Sequence, residues 1–215
     1  MVGAMFEHGL GRPMDMAAAI RWYQQSASRN HTDSLSAMGR IHETGKGVPQ
    51  DPRTAYELYL LAAEAGHVDA MCCVASLLQR VPQSLTNYDA DGSPAEAAVA
   101  WYRLAAQHGS PRGQNALGSC YYRGLGGVER DYGNAVVWFR RAAESGDPAA
   151  HNNLGICYEE GVGVARDVVM AKTLYKLAAA GGHAGATNNL GYLALVEKNF
   201  MEAIHQFHLA ITLGR

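Results

Sequence analysis

Apolar residues recur along this chain in stripes at helical spacing, and the stripes come in pairs. Ala135, Trp138, Phe139, Ala142 and Ala143 lie at offsets of 3, 4, 7 and 8. On a helix of 3.6 residues per turn they draw one face. Ala150, Leu154, Gly155 and Tyr158 do the same in the next segment. Paired alanines on such a stripe admit a close neighbouring helix, and the aromatic pair fills the space beside them. Gly155 in a helix interior costs about 1 kcal/mol against alanine, so its place on the stripe predicts backbone contact with the partner helix.

The stripes repeat at a fixed period. Met38-Gly39, Val74-Ala75, Leu117-Gly118, Leu154-Gly155 and Leu190-Gly191 mark first helices, with steps of 36, 43, 37 and 36 residues. A second marker follows in each copy: "LYLLAA" at Leu58–Ala63, "WYRLAA" at Trp101–Ala106, "WFRRAA" at Trp138–Ala143 and "LYKLAA" at Leu174–Ala179. An earlier half-copy, "WYQQSA", spans Trp22–Ala27. Self-similarity at this period signals an array of helix pairs in which each copy packs on its neighbours. The reading is one domain over 1–215, with repeats near 1–30 (partial), 31–66, 67–109, 110–146, 147–182 and 183–215.

The boundaries are written in caps and glycines. Asp51-Pro52, Ser93-Pro94, Ser110-Pro111 and Asp147-Pro148 each put an N-cap before a proline at the first helical position. Asp15, Asp131 and Asp167 read as caps of second helices. "HETGKGVPQD", "YYRGLGGVERD" and "YEEGVGVARD" fill the space between, with a degraded copy in "FEHGLGRPMD". A phosphate-binding loop needs GxxxxGK[ST] between a strand and a helix, which none of these supplies. Recurrence makes them turns, with glycine providing left-handed backbone after a helix and Val48, Val128 and Val164 tucking into the pair.

This pattern resembles the Sel-one-like repeat family (SLR), a relative of the tetratricopeptide repeats. Repeat 5 carries its signature most fully: Ala150, "LG" at 154–155, Tyr158, "GVGV" at 161–164, Asp167, Ala171, "LYKLAA" and Gly182. The resemblance covers essentially the whole chain. It implies an all-α fold, a right-handed α-α superhelix (solenoid) of tetratricopeptide-like helix pairs, used as a non-catalytic adaptor or scaffold in protein complexes. Three departures stand out. Repeat 1 begins midway through its first helix, as expected of a raw edge or a longer parent. Repeat 6 lacks the glycine loop, which suits a cap. Repeat 3 has "RVPQSLTNYDADG" in its place.

Composition narrows the function. The 215 residues carry a formal charge of −2, and neither a basic stripe nor a block of like charges is present, which argues against nucleic acid. No apolar run approaches the roughly 18 residues of a membrane span, and no signal peptide is visible. The four cysteines lack CxxC spacing, so a metal site is not expected. Cys120 and Cys157 hold the position of Ile41, Leu77 and Leu193 in other repeats, which reads as small buried hydrophobes. A reducing, cytoplasmic setting is expected, with export open if a signal lies upstream. No HExxH and no recurrent nucleophile set occurs, so the chain reads as no enzyme, with no cofactor. Asn87–Gly92 copies the start of a calcium loop, but its closing bidentate position is Ala98; a solvated polar loop is the reading.

One recurrence lacks a packing explanation. Asn115, Asn152, Asn153, Asn188 and Asn189 precede the "LG" pair in repeats 4 to 6, although asparagine is a poor helix-interior residue. With the glycines facing the partner helix, these amides point toward the face that lines the groove in tetratricopeptide-like solenoids. Arg112, Ser119, Tyr122 and Arg123 extend it in repeat 4, Glu159 and Glu160 in repeat 5, and Tyr192 in repeat 6. Two roles stay open: the amides stitch repeat to repeat, or they hydrogen-bond a peptide in the concave groove. The expected partner is a protein or peptide bound by a monomer or weak homo-oligomer. The alternative is a purely structural segment of a larger regulatory or enzyme-containing protein.

Overall fold

The computed structural model describes residues 2–11, 13–82 and 93–214. Among the described residues it consists of twelve helices and no strand. They pair in chain order: α1 (Val2–His8) with α2 (Met16–Ala27), α3 (Thr32–Thr44) with α4 (Pro52–Glu64), α5 (Val68–Arg80) with α6 (Pro94–Gln107). Then follow α7 (Pro111–Arg123) with α8 (Tyr132–Glu144), α9 (Pro148–Glu160) with α10 (Val168–Ala180), and α11 (Ala184–Val196) with α12 (Phe200–Leu213). The chain is an all-α helical-repeat solenoid. Its contacts divide it into two compact units, Met1–His108 and Gly109–Arg215.

Every cap read from the sequence makes its bond. Asp15, Asp51, Asp131 and Asp167 accept from backbone N–H groups in the first turns of α2, α4, α8 and α10. Ser93, Ser110 and Asp147 do so for α6, α7 and α9. Each such cap contributes about 1 kcal/mol. The glycine loops close with a recurring bond. The amide of the capping aspartate returns to a carbonyl near the end of the first helix at 2.9 Å: Asp15 to Phe6, Asp51 to His42, Asp131 to Tyr121, Asp167 to Tyr158. Gly161 and Gly163 sit at φ 73° and 70°, a conformation that L-residues avoid. A Cβ on Gly163 would also collide with the Tyr132 carbonyl. These loops are turns, with Val48 and Val164 packed half-buried against the helix pairs.

The helix-interior glycines have a different use. Rings of the second helix lie across them: Tyr23 over Gly3, Tyr59 over Gly39, Phe139 over Gly118, Tyr175 over Gly155, Phe207 over Gly191. An added Cβ would meet a ring carbon at 2.6–2.8 Å. The expectation of backbone contact is thus corrected to a ring against backbone. Burying such a ring contributes roughly 1.5–3 kcal/mol, which exceeds the propensity cost of the glycine.

Cores run from pair to pair. Ala135, Val136 and Phe139 of α8 pack with Leu154 and Cys157 of α9 and Leu174 of α10. Ala171, Tyr175 and Ala178 of α10 pack with Ala186, Leu190 and Leu193 of α11. The last helix differs. α12 buries Ala203 and leaves Phe200 62% and Met201 80% exposed, among exposed Glu202, His205 and His208.

Candidate functional site

The asparagines of the second unit form a hydrogen-bonded chain. Asn153 on α9 donates its Nδ2 to Asn115 Oδ1 on α7 at 2.9 Å. Asn189 on α11 donates to Asn152 Oδ1 on α9 at 3.1 Å. The register is the same both times. The residue one before the "LG" leucine donates to the residue two before it in the preceding repeat. Asn152 reaches Asn153 at 3.5 Å and joins the two links. Asn188 is half-buried and makes no side-chain hydrogen bond to the described residues. These amides therefore bridge repeat to repeat. Each side-chain amide has two donors and two lone pairs, so one bond does not exhaust it.

Beside the chain lies a cleft of about 120 Å³. Ser119, Tyr122 and Arg123 of α7, Phe139 of α8, and Asn153 and Ile156 of α9 line it. Phe139 is buried, Ile156 half-buried and Arg123 exposed. The Tyr122 ring stands edge-on to Tyr132 at 5.1 Å and tilted against Phe139 at 6.4 Å. Its hydroxyl donates to Glu160 at 2.6 Å. Burial and then that bond to a carboxylate raise the Tyr122 pKa above its ordinary 10.0, so the phenol remains a donor. Ser119 Oγ bonds the Asn115 carbonyl at 3.0 Å. Arg123 has no hydrogen-bond or ion-pair partner among the described residues.

Four of the sequence-chosen residues therefore meet in one place: Ser119, Tyr122, Arg123 and Asn153. Others do not. Glu159 accepts the Tyr175 hydroxyl at 2.6 Å and ties α9 to α10. Tyr192 is exposed and stands edge-on to Phe207 at 5.3 Å, in repeat 6. Arg112 is exposed in the first turn of α7 and does not line the cleft. Phe139 and Ile156 are the lining residues that sequence reading missed: Phe139 fits the apolar stripe of its helix, whereas Ile156 lies off the stripe of Ala150, Leu154, Gly155 and Tyr158 and was passed over. The available signal was Phe139 itself, a phenylalanine where repeats 1, 2, 3 and 5 have Tyr23, Tyr59, Tyr102 and Tyr175.

Cys72, Cys120 and Cys157 are buried thiols outside any disulfide, and burial pushes the Cys157 thiol up to about 12. Among the described residues no group of three or more His, Cys, Asp or Glu could hold a metal ion. The calcium-like loop at Asn87–Gly92 lies outside the described residues. No helix among the described residues is long and apolar enough to cross a membrane.

The Sel1 repeat family model matches residues 1–31, 32–67, 91–110, 111–147 and 148–183. The chain belongs to the Sel1 repeat family. A solved Sel1 repeat protein from Oxalobacter formigenes is 28% identical, covering 97% of this chain and 82% of its own, with a TM-score of 0.87. The protective antigen c5321 of uropathogenic Escherichia coli, which displays an SLR fold, is 26% identical with a TM-score of 0.79. That match takes in 100% of this chain but 45% of c5321. Immunity protein Pa5087 of Pseudomonas aeruginosa, 17% identical over 91% of this chain and 74% of its own (TM-score 0.61), shares the fold. A comparison with curated proteins gives no match. Sel1 repeats are generally protein-interaction modules.

Proposed function

We propose that the chain is a non-catalytic scaffold that binds a protein or peptide along the first-helix face of its second unit. The supporting observation is the cleft between α7 and α9, where an apolar surface, Phe139 and Ile156, meets the polar groups of Ser119, Asn153 and Arg123. An extended peptide can set a side chain on the first and backbone amides on the second. The amide chain favours a second, structural role for Asn152 and Asn189, which spend bonds on each other.

The test is selection of a displayed random decapeptide library on the intact chain, followed by affinity measurement of the selected peptides. Ile156→Lys places a charge in the cleft. Loss of peptide binding with a retained melting temperature supports the proposal. Peptides that bind this variant as tightly as the original chain put the site elsewhere.

A further inference from the structure

A pairing rule runs through the repeats, and the cleft lies where it is broken. In repeats 1, 2 and 5 the ring over the glycine is a tyrosine, and its hydroxyl donates to a glutamate four residues after that glycine. Tyr23 bonds Glu7 at 2.9 Å, Tyr59 bonds Glu43 at 2.8 Å and Tyr175 bonds Glu159 at 2.6 Å. Repeat 3 keeps a weaker form, Tyr102 to Gln79 at 3.3 Å. Repeat 6 drops both partners together, with Phe207 and Leu195. Repeat 4 also changes both, but to two rings: Phe139 has no hydroxyl to give, and Tyr122 stands where the carboxylate would be. Tyr122 turns its hydroxyl outward to Glu160 of the next repeat. Both substituted residues line the cleft.

Beside the same substitution stands a cation without an ion-pair or hydrogen-bond partner among the described residues. Arg80 holds the position five residues after the glycine site of repeat 3, and it pairs with Glu43 of the preceding repeat. Arg123 holds that position in repeat 4. Its own repeat has Tyr122 where the glutamate would stand. The nearby carboxylate of Glu160 is engaged by Tyr122. An exposed guanidinium thus borders a cleft of about 120 Å³ with apolar Phe139 and Ile156 in its wall. A cavity of roughly 150 Å³ admits benzene, so this one suits an aliphatic side chain.

We infer that repeat 4 carries the specificity pocket of the binding face, taking an aliphatic side chain of a peptide whose adjacent carboxylate pairs with Arg123. This rests on the binding-face reading above. Guanidinium matches a carboxylate in both charge and geometry.

The test uses the displayed decapeptide library on the intact chain, in one format with free C-termini and one with the peptides embedded. The original chain should enrich an aliphatic residue beside a carboxylate. Replacing that acid by its amide should weaken binding about tenfold. Enrichment in the embedded format assigns the carboxylate to a side chain; enrichment confined to free C-termini assigns it to the chain end. Both support the pocket. Arg123→Glu, at an exposed position and with its melting temperature checked, should shift the selected neighbour from acidic to basic. The double variant Tyr122→Glu with Phe139→Tyr restores the rule and should abolish the aliphatic preference, with its melting temperature checked alongside. Selected peptides that lack the pair, or a preference unmoved by Arg123→Glu, overturn the pocket and leave the binding face standing. A library that yields no binder overturns both.

Discussion

The hydroxyl of Tyr175 donates to Glu159 at 2.6 Å, joining the two helices of repeat 5. The ring that carries it lies on Gly155, so one tyrosine fixes how close the helices come and how they are aligned. The pairs Glu7/Tyr23, Glu43/Tyr59 and Glu159/Tyr175 share one spacing, 16 residues. In these three repeats one tyrosine side chain sets both the spacing and the alignment of the helix pair.

Substitutions at this contact separate its two parts. Tyr175→Phe keeps the ring and removes the hydroxyl, and should cost about 1 kcal/mol. Gly155→Ala drives a methyl toward a ring carbon 2.6 Å away. Overpacking costs about 1–3 kcal/mol, while the gain in helix propensity returns about 1. Urea denaturation should therefore show Gly155→Ala as destabilising despite alanine being the better helix former. A neutral or stabilising result would mean that the ring has room to move.

The helices, caps and turns were legible in the sequence because local periodicity and side-chain chemistry determine them. Asp131 and Asp167 announce their helices wherever they occur. The partner of Glu159 was missed: its 16-residue distance from a tyrosine recurs in repeats 1, 2 and 5, but Glu159 was read as a groove-lining residue. The amide register was not legible. Asn189 meets Asn152, and Asn153 meets Asn115; this pairing depends on the rotation between successive helix pairs. Aligned positions do not encode that rotation. The cleft was half legible: its polar residues drew notice, whereas Phe139 merged with the core pattern and Ile156, an apolar residue off its helix's stripe, was overlooked.

The buried carboxylate of Glu7 should make the first unit sensitive to acid. Arg40 Nη2 lies 2.7 Å from Oε1 and 2.8 Å from Oε2, and Tyr23 donates at 2.9 Å. The Arg40 hydrogen bond is the main cause of a pKa below 4.5; burial opposes it and the Tyr23 bond adds to it. A depressed folded pKa gives stability that is present above the unfolded value and lost as pH falls through the folded one. Glu7→Gln should therefore be less stable than the original chain by about 1–3 kcal/mol at pH 7. The gap should close as pH falls below 4.5. Urea midpoints of both proteins from pH 7 to pH 3 check this, and a gap that widens in acid would refute it.

Within the amide chain, Asn152 and Asn188 should behave differently although they align. Asn152 is buried, accepts from Asn189 and reaches Asn153. Asn152→Ala should cost about 1–2 kcal/mol, one or two exchanged hydrogen bonds. Asn188→Ala removes no such bond and should change stability by less than about 0.5 kcal/mol. Equal losses at both sites would mean that helix context, not the amide chain, sets the cost.

The cysteines provide a local reading of the same packing. Cys157 is fully buried beside Leu154 and Phe139, and its thiol is raised to about 12 by burial above all. The thiolate is the reacting form, so at pH 8 a disulfide reagent should modify this residue only when the helices open. Cys72 in the first unit is equally buried, whereas Cys73 is half-exposed. Native protein should show at most one fast thiol, Cys73, and slow modification of the rest, read site by site after digestion. Gly155→Ala weakens the α9–α10 contact one turn or less from Cys157. It should speed labelling of Cys157 by about tenfold for each 1.4 kcal/mol lost, and it should leave Cys72 nearly unchanged if the disturbance stays within neighbouring repeats. A uniform acceleration at both cysteines would show that the array opens as a whole rather than repeat by repeat.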